Sequence, residues 1–342
     1  MMPIKFLKHC GILIAMSASL SSPSTADVLS AESNQPGGGS YLAMVGLSTV
    51  VAKNTNHTIE VNAGIPVSKS MVKSAKGGLD LTGLVLALVP LMQQGKGPYA
   101  KLENSSELAG NLRSILAHPS GMFHVVTFEK SGIRTLADLK GKKVYTGPAR
   151  SAMRSTGTSL IKSDTGYEAG VDYEILDLDL QGGQQAFLDG HVDVWVRPAP
   201  LGGAMIEQVG VSRNIRILGM SEEGINSEIA KMYQKDPGAS IDVIPANTYS
   251  GQINDGPVKT MGFWLGMGVN AQADEQTIYE ITNAVINNLE TFKSTGGVLF
   301  DQLSRDTLLS YLNIPLHPGA YRAYQEAGIS VPEALIPPEV NN

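Results

Sequence analysis

The chain has 342 residues, with 26 Lys and Arg against 32 Asp and Glu, a formal net charge of −6 and one cysteine. An acidic chain without basic runs is unsuited to nucleic acid or to an anionic membrane surface, although a few local arginines still suffice for a small anionic ligand. One cysteine allows no internal disulfide, and the length exceeds what a single core usually supports, so two lobes are expected.

At the start, Lys5 and Lys8 make a positive region before an apolar run over residues 11–20, and Ser24-Thr25-Ala26 is a small-x-small cleavage site. A bilayer span needs roughly 20 apolar residues, so the pattern predicts a secretory signal peptide over residues 1–26. Cys10 stands at the beginning of the apolar run, away from the cleavage site, which argues against lipid attachment. An exported chain with neither anchor nor lipid is held by a second membrane. The expectation is a periplasmic protein, monomeric and not inserted in the bilayer.

After a polar leader, Gly37-Gly38-Gly39-Ser40-Tyr41 precedes Leu42, Val45, Leu47, Val50 and Val51 at mostly helical spacing. Glycines before a helix let a ligand approach the backbone, although a flexible linker is the commoner meaning of such a run. Residues 57–61 read as a strand, and Ala63-Gly64-Ile65-Pro66 turns into a helix carrying Met71, Val72 and Ala75, capped by Gly77-Gly78. A buried strand over 79–84 follows. Helix, strand, helix, strand points to an open α/β sheet, in which ligands bind beyond the carboxyl ends of the strands.

Residues 111–128 read as extended, strongest over 122–128. Residues 136–139 make one helical turn, and 143–146 a short strand. That strand turns at Gly147-Pro148 into a helix near Ser151. A strand that feeds a helix through a Gly/Pro turn presents free backbone N–H groups and the positive end of a dipole, a geometry that receives an anion. Arg150 and Arg154, four residues apart, add positive charge to one face. Residues 173–178 read as a strand, 182–188 as a short helix, and 192–196 as a buried strand that ends in Arg197-Pro198-Ala199-Pro200. An arginine directly after a buried strand projects from the ligand-facing edge or stands in an exposed loop. Further on, 214–219 and 222–234 continue the alternation, 257–269 is a second long extended segment, and 275–292 is an amphipathic helix with Ile278, Ile281, Val285, Ile286 and Leu289 on its buried stripe.

Enzyme chemistry finds little footing. Beyond the signal peptide the histidines are His57, His118, His124, His191 and His317, and none forms a pair at metal-ligand spacing. No Gly-x-Ser-x-Gly elbow, phosphate-loop lysine motif or dinucleotide fingerprint occurs. Asp177 and Asp179 lie two apart on one strand face, where carboxylates are usually solvated. Anion-holding loops without nucleophile or base favour a binder, with no cofactor and no metal.

Several segments in order resemble the solute receptors of tripartite ATP-independent periplasmic (TRAP) transporters, in the TRAP-associated extracytoplasmic immunogenic (TAXI) family. They are Gly38-Gly39-Ser40-Tyr41; Ala63-Gly64-Ile65-Pro66 running to Gly77-Gly78-Leu79-Asp80-Leu81; and Ser131-Gly132-Ile133-Arg134-Thr135-Leu136-Ala137-Asp138-Leu139-Lys140-Gly141-Lys142-Lys143-Val144. Asp189-Gly190-His191-Val192-Asp193, Ile244-Pro245-Ala246-Asn247-Thr248-Tyr249 and Pro315-Leu316-His317-Pro318-Gly319-Ala320 complete the set. The resemblance implies a type II periplasmic-binding-protein fold, two α/β lobes joined by two crossover strands that close on the ligand. One lobe would hold residues 27–130 and 259–342 and the other 131–258. It also implies delivery of a small organic acid, often a dicarboxylate or glutamate-like compound, to an ion-driven membrane permease, with no hydrolysis. A periplasmic ligand sensor of the same fold, signalling to a membrane partner, is the alternative.

Departures from the family pattern shape the expected site. Where the family usually reads Gly-Ser-Gly-Thr, this chain has Arg150-Ser151-Ala152-Met153, and where it commonly places Gln, Ser and Asp, Val85, Leu86 and Ala87 stand. A lost polar trio cannot hydrogen-bond an amino group or a second carboxylate, which predicts a less polar acid. The expected ligand-binding residues are Gly39, Ser40, Tyr41, Gly64, Ile65, Pro66, Val85, Pro148, Arg150, Ser151, Arg154 and Arg197, with Arg150 as the bidentate carboxylate partner.

Overall fold

The computed structural model describes residues 27–341, so the expected signal peptide lies outside the described residues. Ten strands, β1 (Val28–Glu32), β2 (Thr58–Asn62), β3 (Leu81–Leu84), β4 (Leu112–Phe128), β5 (Lys143–Tyr145), β6 (Glu174–Ile175), β7 (Val194–Ala199), β8 (Ile215–Ile217), β9 (Ala239–Ile244) and β10 (Val258–Asn270), form one connected sheet. Its order is β2-β1-β3-β10-β4-β7-β5-β6, with β8 on β4 and β9 on β10. The helices of nine or more residues are α1 (Gly39–Asn54), α2 (Val67–Ala75), α3 (Ala152–Thr165), α4 (Leu180–Leu188), α5 (Ala204–Ser212), α6 (Glu275–Asn287) and α7 (Pro318–Glu326).

Two long strands tie the sheet's halves together. The first part of β4, through Pro119, pairs with β10, and its last part, from Met122, pairs with β7 and β8. In the same way β10 pairs with β9 from Val258 to Phe263 and with β4 and β3 from Trp264 onward. Both strands therefore change partners at one seam, at Ser120-Gly121 in β4 and at Phe263-Trp264 in β10. On either side of it lie parallel strands, β2-β1-β3 on one flank and β7-β5-β6 on the other. This is a type II periplasmic-binding-protein fold, two α/β lobes joined by two crossover strands.

One large core runs across both halves, joining Met44 and Leu47 to Phe187, Trp195 and Ile206, and a second lies on one side of the seam. On one side Ala43, Met44, Leu47, Val50 and Val51 of α1 are buried between the sheet and α6, which contributes Ile278, Ile281 and Val285. On the other, Val144, Leu160, Ile161, Val194 and Val196 pack together. Strand β1 lies in the stretch that reads from sequence as a polar leader. Its buried Glu32 explains the misreading: the carboxylate accepts hydrogen bonds from Ser70 Oγ at 2.7 Å and Lys73 Nζ at 2.6 Å, both on α2. Burial pushes the Glu32 pKa up, but Lys73 and Ser70 outweigh it and hold it below the ordinary value. A polar residue in a strand is thus a bolt between β1 and α2. Strand β7 also runs further than its apolar run indicates, so Arg197 lies within it. Beyond Trp195 its far side has no ladder partner, and Pro198 can occupy a position that donates no hydrogen bond.

The N-terminus of α1 rests directly on the seam. A Cβ at Gly39 would sit 2.1 Å from the Ser120 carbonyl oxygen, a backbone atom that cannot swing aside. Gly39→Ala therefore forces α1 off β4. Such overpacking costs about 1–3 kcal/mol, and a urea midpoint equal to that of the wild type would show that the contact is not tight.

His118, His124 and His317 are each 1% exposed or less. Burial drives all three pKa values down to about 4, from about 6.5 in an unfolded chain. They fold neutral, so their contribution is complete above pH 6.5 and is lost as pH falls toward 4, each costing about 3 kcal/mol at the end of that window. Buried Asp242 acts in the opposite sense: its pKa is raised to about 6, so acid relieves a penalty of similar size as pH falls from 6 to 4. Three groups outweigh one. The urea midpoint should drop steeply between pH 7 and pH 5, and a midpoint that rises over that range would contradict the assignment.

Candidate functional site

A cavity of about 870 Å³ lies against the seam. One wall comes from residues 34–39, Gly64 to Val67 and Val85, and its floor includes Ser120, Phe263 and Leu265. The facing wall is Gln184 of α4, residues 197–200 of β7 and its exit, and Gly203, Ala204, Met205 and Gln208 at the start of α5.

Three helices begin at this cavity. The N-caps of α1, α2 and α5 are Gly38, Pro66 and Gly203, and none has a side-chain capping hydrogen bond. The other long helices are capped: Ser151 accepts from Arg154 N, Asp179 from Gly182 N, Asp274 from Thr277 N and His317 from Gly319 N. Among the described helices of nine or more residues, those opening on the cavity are thus the ones whose first-turn amides no side chain satisfies. Each such end carries orphan N–H donors and about half a positive charge. Together they prepare the space for an anion.

Arg197 supplies the fixed charge. Among the described residues it is the one ionisable side chain in the cavity lining. Its Nε is buried with no hydrogen-bond partner among the described residues, and its Nη1 is 4.0 Å from the Met153 sulfur. Burial pulls its pKa down, opposed by the nearby Tyr145, yet a guanidinium stays protonated in proteins. Arg113, Arg134, Arg154, Arg216 and Arg322 all face carboxylates. A half-buried guanidinium without a counter-charge is costly unless something supplies one.

Of the residues expected from sequence, Gly39, Gly64, Ile65, Pro66, Val85 and Arg197 line the cavity. Ser40 and Tyr41 follow on the first turn of α1 but are not in the lining; buried Ser40 turns its Oγ toward Gly83 of β3. Pro148, Arg150, Ser151 and Arg154 stand outside it as well, because the turn before α3 satisfies itself. Ser151 Oγ donates to Pro148 O at 2.7 Å while accepting from Arg154 N at 3.1 Å. Arg154 donates to Gly147 O at 2.8 Å and Leu176 O at 3.1 Å and pairs with Asp177. Arg150 has φ 61° and an exposed side chain. The sequence reading placed no site residue at the start of α5. Its signal was present, since Pro200-Leu201-Gly202-Gly203 before an apolar helical run has the same form as the stretches before α1 and α2.

The entry to α5 is pinned from behind. Gly202 N donates to Tyr249 Oη at 2.9 Å, and Tyr249 Oη is 2.6 Å from His124 Nε2. His124 Nδ1 faces the Met122 carbonyl at 3.1 Å, so it carries the proton and Nε2 accepts from the tyrosine. Tyr249→Phe leaves His124 Nε2 buried and unpaired, at about 1–3 kcal/mol, and removes the side-chain acceptor of Gly202 N. We expect a lower melting temperature together with weaker ligand binding. Full retention of both would show that the relay does not hold α5.

The matching family description, over residues 35–328, is the NMT1-like family. Among solved structures, the chain is similar to a TctC solute binding protein from Polaromonas, at 13% identity over 80% of this chain and 88% of that one, with a TM-score of 0.49. It is similar to the periplasmic ectoine-binding protein of the TeaABC TRAP transporter of Halomonas elongata, at 13% identity, 92% and 88% coverage and a TM-score of 0.42. It is also similar to the periplasmic aliphatic sulphonate binding protein SsuA of Escherichia coli, at 14% identity, 80% and 74% coverage and a TM-score of 0.42. With a match that spans most of its length, the chain belongs to the NMT1-like family.

Proposed function

We propose that the protein is a periplasmic solute-binding receptor that captures a small organic acid in the seam cavity and hands it to a TRAP-type membrane permease. The observation that carries this reading is the meeting of three uncapped helix N-termini and unpaired Arg197 around one cavity. That arrangement holds an anion by fixed dipoles and a bidentate fork, and no side chain in the lining is a nucleophile paired with a base. The TAXI resemblance and the signal-peptide pattern support the periplasmic and permease parts of the proposal. In it, residues 27–130 with 259–342 form one lobe and 131–258 the other, and closure bends β4 and β10 where they change partners.

Arg197 takes the role that sequence reasoning gave to Arg150. A charge-assisted bidentate pair in a poorly hydrated cleft is worth about 1.5–3 kcal/mol. A thermal-shift screen against organic acids would supply a test ligand, since a ligand at 100 times its dissociation constant adds about 2.7 kcal/mol. Against that ligand, Arg197→Ala should weaken binding roughly 10- to 150-fold at about 1.4 kcal/mol per decade. Arg197→Lys should recover only part of the loss, because it restores charge without the fork. Arg150→Ala should bind as the wild type does. Calorimetry in which Arg150→Ala loses affinity and Arg197→Ala keeps it would return the grip to the turn before α3.

A further inference from the structure

We infer that the ligand is an anion carrying no cationic group, a carboxylate on an apolar body, and that the cavity discriminates against amino acids and other zwitterions. This rests on the receptor reading above and concerns what the same cavity rejects. A site for a zwitterion needs a negative partner for the ammonium, because a buried charge without one is strongly disfavoured. Among the described residues no Asp or Glu lines the cavity. Its fixed charge is all of one sign, Arg197 and the positive ends of α1, α2 and α5. An ammonium placed beside the carboxylate would meet that field with no carboxylate to oppose it.

The polar side chains in the lining are neutral: Asn34, Gln35, Ser120, Gln184 and Gln208. Asn34 Oδ1 is buried without a partner among the described residues. It can accept from a ligand hydroxyl, but a neutral amide does not offset the charge of an ammonium. Apolar side chains supply much of the remaining surface, Ile65, Val67 and Val85 on one wall, Phe263 and Leu265 on the floor and Met205 opposite. Val85 stands just past the end of β3, and the next residue, Leu86, turns into the core, so this edge offers no polar group. The lining therefore combines positive potential for the carboxylate with apolar side chains for the body.

The test compares three ligands that differ at one atom: hexanoate, 2-hydroxyhexanoate and 2-aminohexanoate, with their four- to eight-carbon homologues, titrated calorimetrically into the purified protein. The hydroxy acid matches the amino acid in size and polarity but lacks its charge. We expect the plain and hydroxy acids of the best-fitting length to bind within a few-fold of each other and the amino acid at least 10-fold more weakly. Equal affinity for the amino acid would overturn the inference and leave the receptor reading intact. Loss of the hydroxy acid together with the amino acid would overturn it too, by showing that size or polarity decides. If no carboxylate of any length binds, the carboxylate reading of the site falls, and the inference with it.

Discussion

Positive potential without a counter-charge is the constraint to which the rest of this molecule answers. A helix N-terminus is normally closed by a Ser, Thr, Asp or Asn side chain, and among the described helices of nine or more residues Ser151, Asp179 and Asp274 close α3, α4 and α6 that way, with His317 closing α7. At the cavity the chain uses Gly38, Pro66 and Gly203, none of which has a side-chain oxygen to give. It adds a guanidinium with no carboxylate beside it. Each omission leaves a donor that no side chain among the described residues satisfies. Such an arrangement persists only because the surrounding scaffold is stable enough to hold it.

That scaffold is built around the seam. Because β4 and β10 both change partners there, the carboxyl-end loops of both halves face a common space, which is the general position of ligand sites in open α/β sheets. Several close contacts fix the geometry. Gly39 lets α1 sit on Ser120, and Gly121 does the same for Phe263, whose ring would lie 2.8 Å from an added Cβ. Glu32 bolts α2 to β1, and Tyr249 holds Gly202 ahead of α5. The open ends of α2 and α5 are thus held by residues outside the lining, and that of α1 by a contact within the lining itself.

Much of this was legible in the sequence, and the failures have identifiable causes. The turns before α1 and α2 are readable because glycine and proline there directly precede apolar helical runs, and both line the cavity. The long extended segments are readable because buried strands of that length are rare outside crossovers. Strand β1 was missed because exposed Val28 and buried Glu32 break its alternation, and what satisfies Glu32 lies 38 residues away on α2. Arg150 and Arg197 could not be ranked from local pattern. Both follow a strand and neighbour prolines, and the difference lies in long-range partners. The turn before α3 closes on Ser151 and on Arg154, whose carboxylate is 23 residues away, whereas Arg197 has no such partner.

The segments that carry the family resemblance are of two physical kinds. Tyr249 of the Ile-Pro-Ala-Asn-Thr-Tyr segment and His317 of the Leu-His-Pro-Gly-Ala segment do not touch the cavity. The first holds the entry of α5 through Gly202. The second caps α7, where a Cβ on the neighbouring Gly319 would lie 2.2 Å from the Glu275 carbonyl oxygen. Both are solutions to packing and hydrogen bonding that any ligand chemistry could share. The stretches before α1 and α2 do line the cavity, but there they contribute mainly backbone amides and apolar surface, which set the sign of the ligand's charge and little else. Discrimination between anions falls to side chains such as Val85, Gln184 and Phe263, which lie outside the resembling segments. A family resemblance carried by scaffold residues therefore transfers the fold, and it leaves the choice of solute to residues it does not include.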